Sequence, residues 1–247
     1  MRGTLYVVAT PLGNLGDLSP RAAETLKRVA AVAAEDTRRT RPLLAHVGSG
    51  AELVSVHAHS SDAAIQRVLR QLAAGRDVAL VTDAGTPAVS DPGVALVAAA
   101  RARDFPVITI PGPTAVAAAL AVSGLSADRY VFLGFLPRKG GERDRLLDTI
   151  AKSQWTVVVF EAPNRTAELL DDLVATCGAD RRGVVARELT KLFEETRDGT
   201  LAQLAGYYRD TPPRGEVTVI VSGTGVPARE APPRIPKPAP ALCSPKA

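Results

Sequence analysis

The feature that most constrains the fold is a repeated alternation of short apolar segments with amphipathic ones. The apolar segment Leu5 to Ala9 ends at the turn residues Thr10 to Asn14, and Ser19-Pro20 then opens a helical pattern as N-cap and first helical residue. Further strands are predicted at 30–34, 52–56, 77–82 and 106–110, with helices at 37–46, 61–74, 92–103 and 113–123. The run Val78 to Val81 is apolar throughout, which is typical of a strand covered on both faces. This pattern predicts an α/β fold with a mostly parallel, doubly wound sheet.

The segment Ser123 to Asp128 interrupts the apolar pattern and is predicted to be a linker. Beyond it, strands are predicted at 130–134, 155–160, 183–187 and 216–221, with helices near 142–152, 164–176 and 199–208. From Gly223 onward the chain has seven prolines and no periodicity, which is typical of a disordered tail. We therefore predict an N-terminal α/β domain over residues 1–124, a C-terminal α/β domain over 125–223 and a Pro-rich disordered tail over 224–247.

Charge and cysteine content exclude several classes of protein. The formal net charge is +4, but residues 227–247 carry +3 of it, so the remaining body is almost neutral and must bind any nucleic acid through local basic patches. Cys177 and Cys243 are the only cysteines, so neither a disulfide framework nor a thiolate metal site is predicted. No apolar run is long enough to span a bilayer, and no export signal is predicted. We expect a cytoplasmic protein.

Three loops rich in Pro, Gly and Thr follow predicted strands. The longest, from Thr82 to Gly93, contains Asp83 as a hydrogen-bond acceptor and Gly85, where backbone can approach a ligand closely. The other two run from Ala9 to Asp17 and from Ile110 to Ala115. Because the carboxyl ends of parallel strands lie at one sheet edge, the three loops indicate a shared ligand pocket. The alternative is an ordinary long turn.

Charged and imidazole side chains also lie near strand ends. Glu35 and Asp36 could supply a general base, and Arg38 could contact phosphate. The alternative, which this stretch taken alone favours, makes Asp36 a helix N-cap and the arginine part of a solvated face. His57 and His59 would share one face of a strand, but two imidazoles are too few for a metal site, so no metal is predicted.

Basic residues mark a further loop and two more strand ends. Arg138 and Lys139 precede a Gly-Gly pair, where mobility favours an RNA-backbone contact that orders on binding, although a solvated helix start is equally consistent. The stretches Phe160 to Arg165 and Arg187 to Lys191 each follow a strand in the second half. Both are either part of the site or charged surface.

Taken together, these motifs resemble those of the bacterial ribosomal RNA small subunit methyltransferase I family, within the tetrapyrrole methylase superfamily. The matching stretches are Tyr6 to Asp17, Ala34 to Arg38, Asp83 to Gly93, Pro111 to Ala115, Leu136 to Lys139, Phe160 to Arg165, Arg187 to Lys191 and Arg214 to Glu216. They run in order over about residues 4–223. One departure is Asn164, where the family usually has His, and this puts a proton-transfer role for that position in doubt.

The resemblance implies two α/β domains of the tetrapyrrole methylase type with S-adenosyl-L-methionine in the cleft between them, a homodimer, and 2′-O-methylation of a decoding-centre cytidine in 16S rRNA of the small ribosomal subunit. The residues that would bind the cofactor by this resemblance are Pro11, Asp83, Gly85, Thr86, Thr114, Ala115, Phe160 and Leu189. Two alternatives stay open. They are a porphyrin-precursor methyltransferase of the same fold, and a non-catalytic ribosome-assembly factor.

A ribose hydroxyl is a poor nucleophile, so the reaction needs an acceptor for its proton. The catalytic candidates are Glu35, Asp36, Glu161 and Glu188. The candidates for RNA contact are Arg38, Arg138, Lys139, Arg165 and Lys191.

Overall fold

Strands and helices alternate along most of the chain in the computed structural model, which describes residues 2–56 and 62–225. The strands are β1 (Leu5–Val8), β2 (Ala31–Ala34), β3 (Glu52–Ser55), β4 (Val78–Val81), β5 (Val107–Ile110), β6 (Tyr130–Phe135), β7 (Thr156–Glu161), β8 (Arg182–Arg187), β9 (Glu195–Thr200) and β10 (Val217–Val221). The helices are α1 (Pro20–Arg28), α2 (Thr37–Val47), α3 (Asp62–Ala73), α4 (Val94–Arg101), α5 (Ala115–Ser123), α6 (Gly141–Lys152), α7 (Thr166–Cys177) and α8 (Leu201–Asp210).

The first five strands form a parallel sheet in the order β3-β2-β4-β1-β5. Every residue of β4 is buried because helices cover both faces of the sheet, with one apolar cluster on each face. The predicted parallel α/β sheet is confirmed for this half of the chain. Its strand order reverses beside β4 and β1, so their carboxyl ends open into the crevice where such sheets bind ligands.

The second sheet is mixed and has the order β6-β7-β10-β8-β9. Its β6–β7 pair is parallel, whereas β7–β10, β10–β8 and β8–β9 are antiparallel. The parallel pattern therefore does not extend to this half. The loop from Glu188 to Glu194 is too short for a crossover, and a short loop can join only antiparallel neighbours.

The edge strand β9 was not predicted. Its sequence Glu-Thr-Arg-Asp-Gly-Thr has no apolar alternation, and at this sheet edge only Gly199 of the strand is buried. The helix predicted from residue 199 begins at Leu201, since Thr200 forms a capping box with Gln203 and ends the strand.

The two sheets are joined by an apolar cluster that draws on both halves of the chain. Its buried members are Leu12, Val116, Ala119, Leu120, Val158, Val184, Ala186, Leu189 and Ile220. Helix α5 therefore packs against β8 and β10 of the second sheet although it precedes the predicted linker. The division of the chain at residue 124 stays a prediction.

Across the described residues, none of the helices is long and apolar enough to cross a membrane. The same residues contain no group of three or more His, Cys, Asp or Glu side chains that could hold a metal ion. His57 and His59 lie outside the described residues, as does the predicted tail from residue 226 onward.

Candidate active site

A cavity of about 430 Å³ lies between the carboxyl ends of the first sheet's strands and, in the second sheet, the end of β7 and the start of β10. We call it the cleft. Its lining residues are Leu12, Glu35, Arg39, Asp83, Ala84, Gly85, Thr86, Val89, Ser90, Asp91, Thr114, Ala115, Phe135, Phe160, Glu161, Ala162, Pro163, Gly215, Glu216, Val217 and Thr218. The loops after β1, β4 and β5 all contribute or support this lining, as the strand-end pattern predicts.

The loop after β4 is held to the loop after β1 by backbone hydrogen bonds. Thr10 N donates to Gly85 O at 2.8 Å, and Gly85 N donates to Thr10 O at 3.1 Å. Gly85 has φ +83°, and a Cβ there would lie 3.1 Å from Cδ2 of Leu12. A side chain would therefore be strained and crowded, and glycine brings the backbone to the cleft wall.

The same loop contains two further residues with positive φ, Ala88 at +66° and Ser90 at +61°. Such conformations cost free energy in non-glycine residues and are found preferentially at functional sites. Ser90 approaches the second sheet at Gly134, where a Cβ would lie 2.6 Å from its hydroxyl oxygen. The register of β6 shifts between Phe132 and Phe135, and this irregularity turns Phe135 toward the cleft.

Acidic side chains line the first-sheet wall. Asp83 accepts hydrogen bonds from the backbone N of Asp36 and from Nη1 of Arg39, both at 3.2 Å, and so holds the start of α2 against the loop. Glu35 accepts a hydrogen bond from the Thr82 hydroxyl at 3.1 Å. This wall therefore carries excess negative charge, which favours a cationic ligand.

Asp91 is a partly buried carboxylate on the same wall. Burial, with the neighbouring negative charge of Glu35, raises its pKa to about 6. A carboxylate with this pKa is ionised at neutral pH and is more basic than an ordinary aspartate, as a general base requires. Sequence patterns do not single out Asp91, because the helix predicted over 92–103 makes it the residue before a helix start. Helix α4 instead begins at Val94 with Gly93 as its N-cap.

The second-sheet wall contains a buried carboxylate with one unused acceptor. Oε1 of Glu161 accepts hydrogen bonds from Ala162 N at 2.7 Å and from Nε of Arg165 at 2.8 Å. Oε2 is buried and has no hydrogen-bond partner among the described residues. A buried acceptor without a donor is costly, so this wall suits a ligand that brings one. The rings of Phe135 and Phe160, with centroids 5.5 Å apart, add an apolar surface beside it.

Six of the eight predicted cofactor-binding residues line the cleft: Asp83, Gly85, Thr86, Thr114, Ala115 and Phe160. Pro11 and Leu189 are buried behind it instead. Leu189 belongs to the apolar cluster on which Phe160 packs, and so supports the cleft without lining it.

The four predicted catalytic carboxylates separate into two groups. Glu35 and Glu161 line the cleft, whereas Asp36 and Glu188 do not. Asp36 caps α2 and pairs with Arg38, whose hydrogen bonds lower its pKa to about 2. The ion pair between Glu188 and Lys191, at 2.8 Å, likewise lowers the pKa of that carboxyl group. Both carboxylates are weak bases in these pairs.

The predicted RNA-contact residues also separate. Arg138 and Lys139 are exposed and have no ion pair within residues 2–56 and 62–225. Buried Arg143 fixes the base of their loop by donating to the Pro137 carbonyl at 2.9 Å while pairing with Asp172. The loop start is therefore rigid and its cations are available to a partner.

Arg38, Arg165 and Lys191 are engaged within the protein. Arg38 is exposed but pairs with Asp36, Arg165 is tied to Glu161, and Lys191 pairs with Glu188. Asn164 is exposed at the start of α7.

The match to known proteins agrees with this geometry. The model of the tetrapyrrole (corrin/porphyrin) methylases matches residues 4–205. The ribosomal RNA small subunit methyltransferase I of Xylella fastidiosa strain Temecula1 is 50% identical over 90% of this chain and 82% of its own length. That of a Synechocystis strain is 47% identical, over 90% and 79%. The chain belongs to the ribosomal RNA small subunit methyltransferase I family.

Solved structures of more distant methyltransferases share the fold of this family member. Uroporphyrin III C-methyltransferase of Thermus thermophilus superposes with a TM-score of 0.65 at 21% identity, covering 89% of this chain and 97% of the other. Its complex with S-adenosylhomocysteine gives 0.64 at 19% identity, over 89% and 97%. A cobalt precorrin-4 methyltransferase gives 0.69 at 19% identity, over 89% and 94%. The predicted two-part tetrapyrrole methylase fold is therefore confirmed.

Proposed function

We propose that this protein transfers a methyl group from S-adenosyl-L-methionine to the ribose 2′-oxygen of a cytidine in the decoding centre of 16S rRNA. The observation that carries the proposal is a cleft lined by carboxylates, one of which has a raised pKa. It occurs in a chain that is 50% identical to a small-subunit rRNA methyltransferase. The substrate is the rRNA of the small ribosomal subunit, which places the enzyme in the cytoplasm, and by family resemblance it acts as a homodimer.

The cleft residues fit the proposed methyl donor. S-adenosylmethionine, when bound, supplies an electrophilic methyl group on a positively charged sulfonium, and it also carries an ammonium group. Glu35 and Asp91, which have no ion pair among the described residues, give negative charge to the first-sheet wall, and the unused Oε2 of Glu161 on the opposite wall offers an acceptor to a donor group. Phe135 and Phe160 provide an apolar surface for a purine ring. Gly85 lets the backbone form the wall between them.

We assign the role of general base to Asp91. Its carboxylate takes the proton of the ribose hydroxyl as the oxygen becomes a nucleophile, because its pKa of about 6 leaves it ionised at neutral pH. Glu35 raises that pKa by its charge and is a positioning residue in this account, held by the Thr82 hydroxyl. Asp36 and Glu188 are already ion-paired outside the cleft. Holding donor and acceptor in line supplies much of the remaining acceleration.

The acidic wall argues against the porphyrin-precursor alternative. A polycarboxylate substrate would meet Glu35, Asp83, Asp91 and Glu216, which oppose its binding by charge repulsion. Arg39 is the cation in that lining and is already paired with Asp83. The intact cleft likewise gives no support to an assembly factor that has lost its cofactor.

The RNA is engaged chiefly by placed cations in this proposal, because the folded body is nearly neutral. Arg138 and Lys139 lie on a loop whose base is fixed by Arg143. Short naked RNA presents too few simultaneous contacts to such a small patch, so assembled small subunits should be the better substrate.

The proposal is tested by incubating the purified protein with labelled S-adenosylmethionine and small subunits from a strain that lacks this modification. We expect label on one cytidine ribose, with little transfer to a short RNA oligomer. Parallel reactions contain a uroporphyrin-type tetrapyrrole, and calorimetry measures donor binding separately. Preferential labelling of the tetrapyrrole would replace the proposed substrate. Absence of donor binding would favour the assembly-factor alternative.

A further inference from the structure

A second cavity, of about 330 Å³, lies beside the cleft and has no role in the chemistry described above. Its lining residues are Arg187, Glu188, Phe193, Glu195, Tyr207, Tyr208, Thr211, Pro212, Pro213 and Arg214. We call it the aromatic pocket. An apolar and aromatic lining with a few polar groups is characteristic of ligand sites.

The aromatic pocket and the cleft share a wall formed by one stretch of chain. Arg214 lines the pocket, while the following residues Gly215 and Glu216 line the cleft. Glu188 fixes this stretch, because its Oε1 accepts the backbone N–H of Glu216 at 3.1 Å. Gly215 has φ +79° and no room for a Cβ against the Glu188 carboxylate. A polymer whose one unit enters the cleft would therefore have a neighbouring unit at the pocket.

The pocket presents aromatic surface to solvent at the tip of the β8–β9 loop. Phe193 is 68% exposed there, beside Leu192, which is 89% exposed and does not line the pocket. The guanidinium of Arg197 lies 3.5 Å from the centroid of the Tyr207 ring and fixes that ring. With Tyr207 covered by Arg197, Phe193 is the exposed ring of the pocket, and an exposed aromatic ring is the surface on which unstacked nucleobases stack.

The charges around the pocket leave one cation available. Arg187 pairs with Glu195 at 2.7 Å, and Glu195 also pairs with Arg197. Glu188 is paired with Lys191. Arg214 is exposed and has no ion pair within the described part of the chain. It therefore offers one positive charge to a phosphate at the pocket rim.

A buried hydroxyl in the pocket wall has no partner. Tyr208 is 1% exposed, and its hydroxyl oxygen makes no hydrogen bond to any described residue. Burial raises the pKa of this phenol to about 12, so it stays protonated and can both donate and accept. A nucleobase edge, which offers both kinds of group, would satisfy it, whereas an aliphatic side chain would not.

We propose that the aromatic pocket binds an unstacked base of the rRNA strand, adjacent to the nucleotide that enters the cleft. The base stacks on Phe193, its edge meets the Tyr208 hydroxyl, and Arg214 contacts the adjoining phosphate. This inference rests on the proposed function, since it assumes that RNA occupies the cleft. The pocket would then contribute to recognition of the RNA strand and would not contact the methyl donor.

The test compares Phe193→Ala and Arg214→Ala with the wild-type full-length protein in steady-state methylation of small subunits. We expect Phe193→Ala to raise KM for subunits about 5- to 100-fold, the range of loss when one stacking ring is removed. Arg214→Ala should lower the salt dependence of subunit binding by about one ion contact. The maximal rate at saturating subunits and the affinity for S-adenosylmethionine should change less than twofold.

Matched controls are Trp155→Ala, an exposed aromatic at the opposite end of β7, and Arg209→Ala, an exposed arginine paired with Asp171. Both should leave KM unchanged. Wild-type KM in the Phe193→Ala protein, or an equal increase in the Trp155→Ala control, would overturn the proposal. If the wild-type protein fails to methylate subunits, the proposed function itself has failed, so the two failures are distinguishable.

Two further measurements keep the proposal falsifiable if a loop variant folds poorly. Tyr208→Phe removes a hydroxyl that has no partner in the described protein, so thermal stability should not fall while KM for subunits rises. An unchanged KM would count against the base contact. Filter binding with protein-free 16S rRNA should show the same weakening for Phe193→Ala. A weakening seen with subunits and absent with free rRNA would assign the pocket to a ribosomal protein and overturn the proposal.

Discussion

The role of Asp91 can be tested by lowering the pH of the methylation reaction. With a pKa of about 6, the carboxylate is roughly 90% ionised at pH 7 and roughly 10% ionised at pH 5. If Asp91 is the general base, kcat/KM should fall about tenfold across this interval. An ordinary aspartate with its pKa near 3.8 would lose less than about 10% of its ionised form over the same range.

The assay is single-turnover methylation of small subunits at saturating S-adenosylmethionine, with donor binding measured at each pH. Asp91→Asn should lower the rate by about 10²- to 10⁴-fold, because a positioned base contributes that much, and the residual rate should lose its acidic limb. Asp148→Asn, which removes an exposed surface carboxylate of α6, is the matched control and should behave as wild type.

Stability gives a second readout that does not depend on activity. The pKa of Asp91 is raised in the folded state, so the native protein binds more protons than the unfolded chain between about pH 4 and pH 6. Stability from this group is therefore gained as pH falls through 6 and is absent above it. Asp91→Asn should raise the free energy of unfolding at pH 7 by at most about 1 kcal/mol, because solvent reaches the group, and Tm should rise slightly with it. Undiminished methylation by Asp91→Asn, or a pH profile identical to that of the variant, would refute the assignment.

Two further substitutions test the cleft, and a third tests the cations of the Arg138-Lys139 loop. Gly85→Val should abolish the binding of S-adenosylmethionine, as measured by calorimetry. Gly48→Ala, also at positive φ but in open space, is the control and should keep the wild-type affinity. Equal affinities of the two variants would show that the loop is not part of the site. Glu161→Gln should weaken that affinity about tenfold or more, since a charged acceptor is lost, and an unchanged Kd would contradict this. Replacing Arg138 and Lys139 with Ala should flatten the salt dependence of subunit binding by up to about two ion contacts without altering donor affinity, and an undiminished slope would show a merely solvated turn.

The parallel half of the fold could be predicted because its signal is local. Val78 to Val81 is apolar throughout, as in a strand covered on both faces, and the long loop after it stands out by length and composition. The edge strand β9 could not be predicted, because its polar sequence has no strand pattern. It is a strand because it pairs with β8, and that pairing is a tertiary contact.

The parts of the site that the sequence did not predict also depend on tertiary packing. Asp91 carries a helix-start signature, and its raised pKa depends on burial against residues far away in the chain. Phe135 reaches the cleft through an irregularity in β6 that no periodicity reveals. Arg165 and Lys191 look like available cations in the sequence, yet each has an internal carboxylate partner. Sequence patterns indicate which residue types meet at a sheet edge, whereas pairing and burial depend on packing.

Methylation of one cytidine ribose of 16S rRNA is the activity that we propose for this protein. The most direct test is mass spectrometric mapping of 16S rRNA from a bacterial strain that lacks this family's enzyme and expresses either this chain or its Asp91→Asn variant. We expect a 2′-O-methylcytidine in the decoding centre with the wild-type chain, and its near absence with the variant. Unmethylated cytidine in both strains, or the same modification in both, would contradict it.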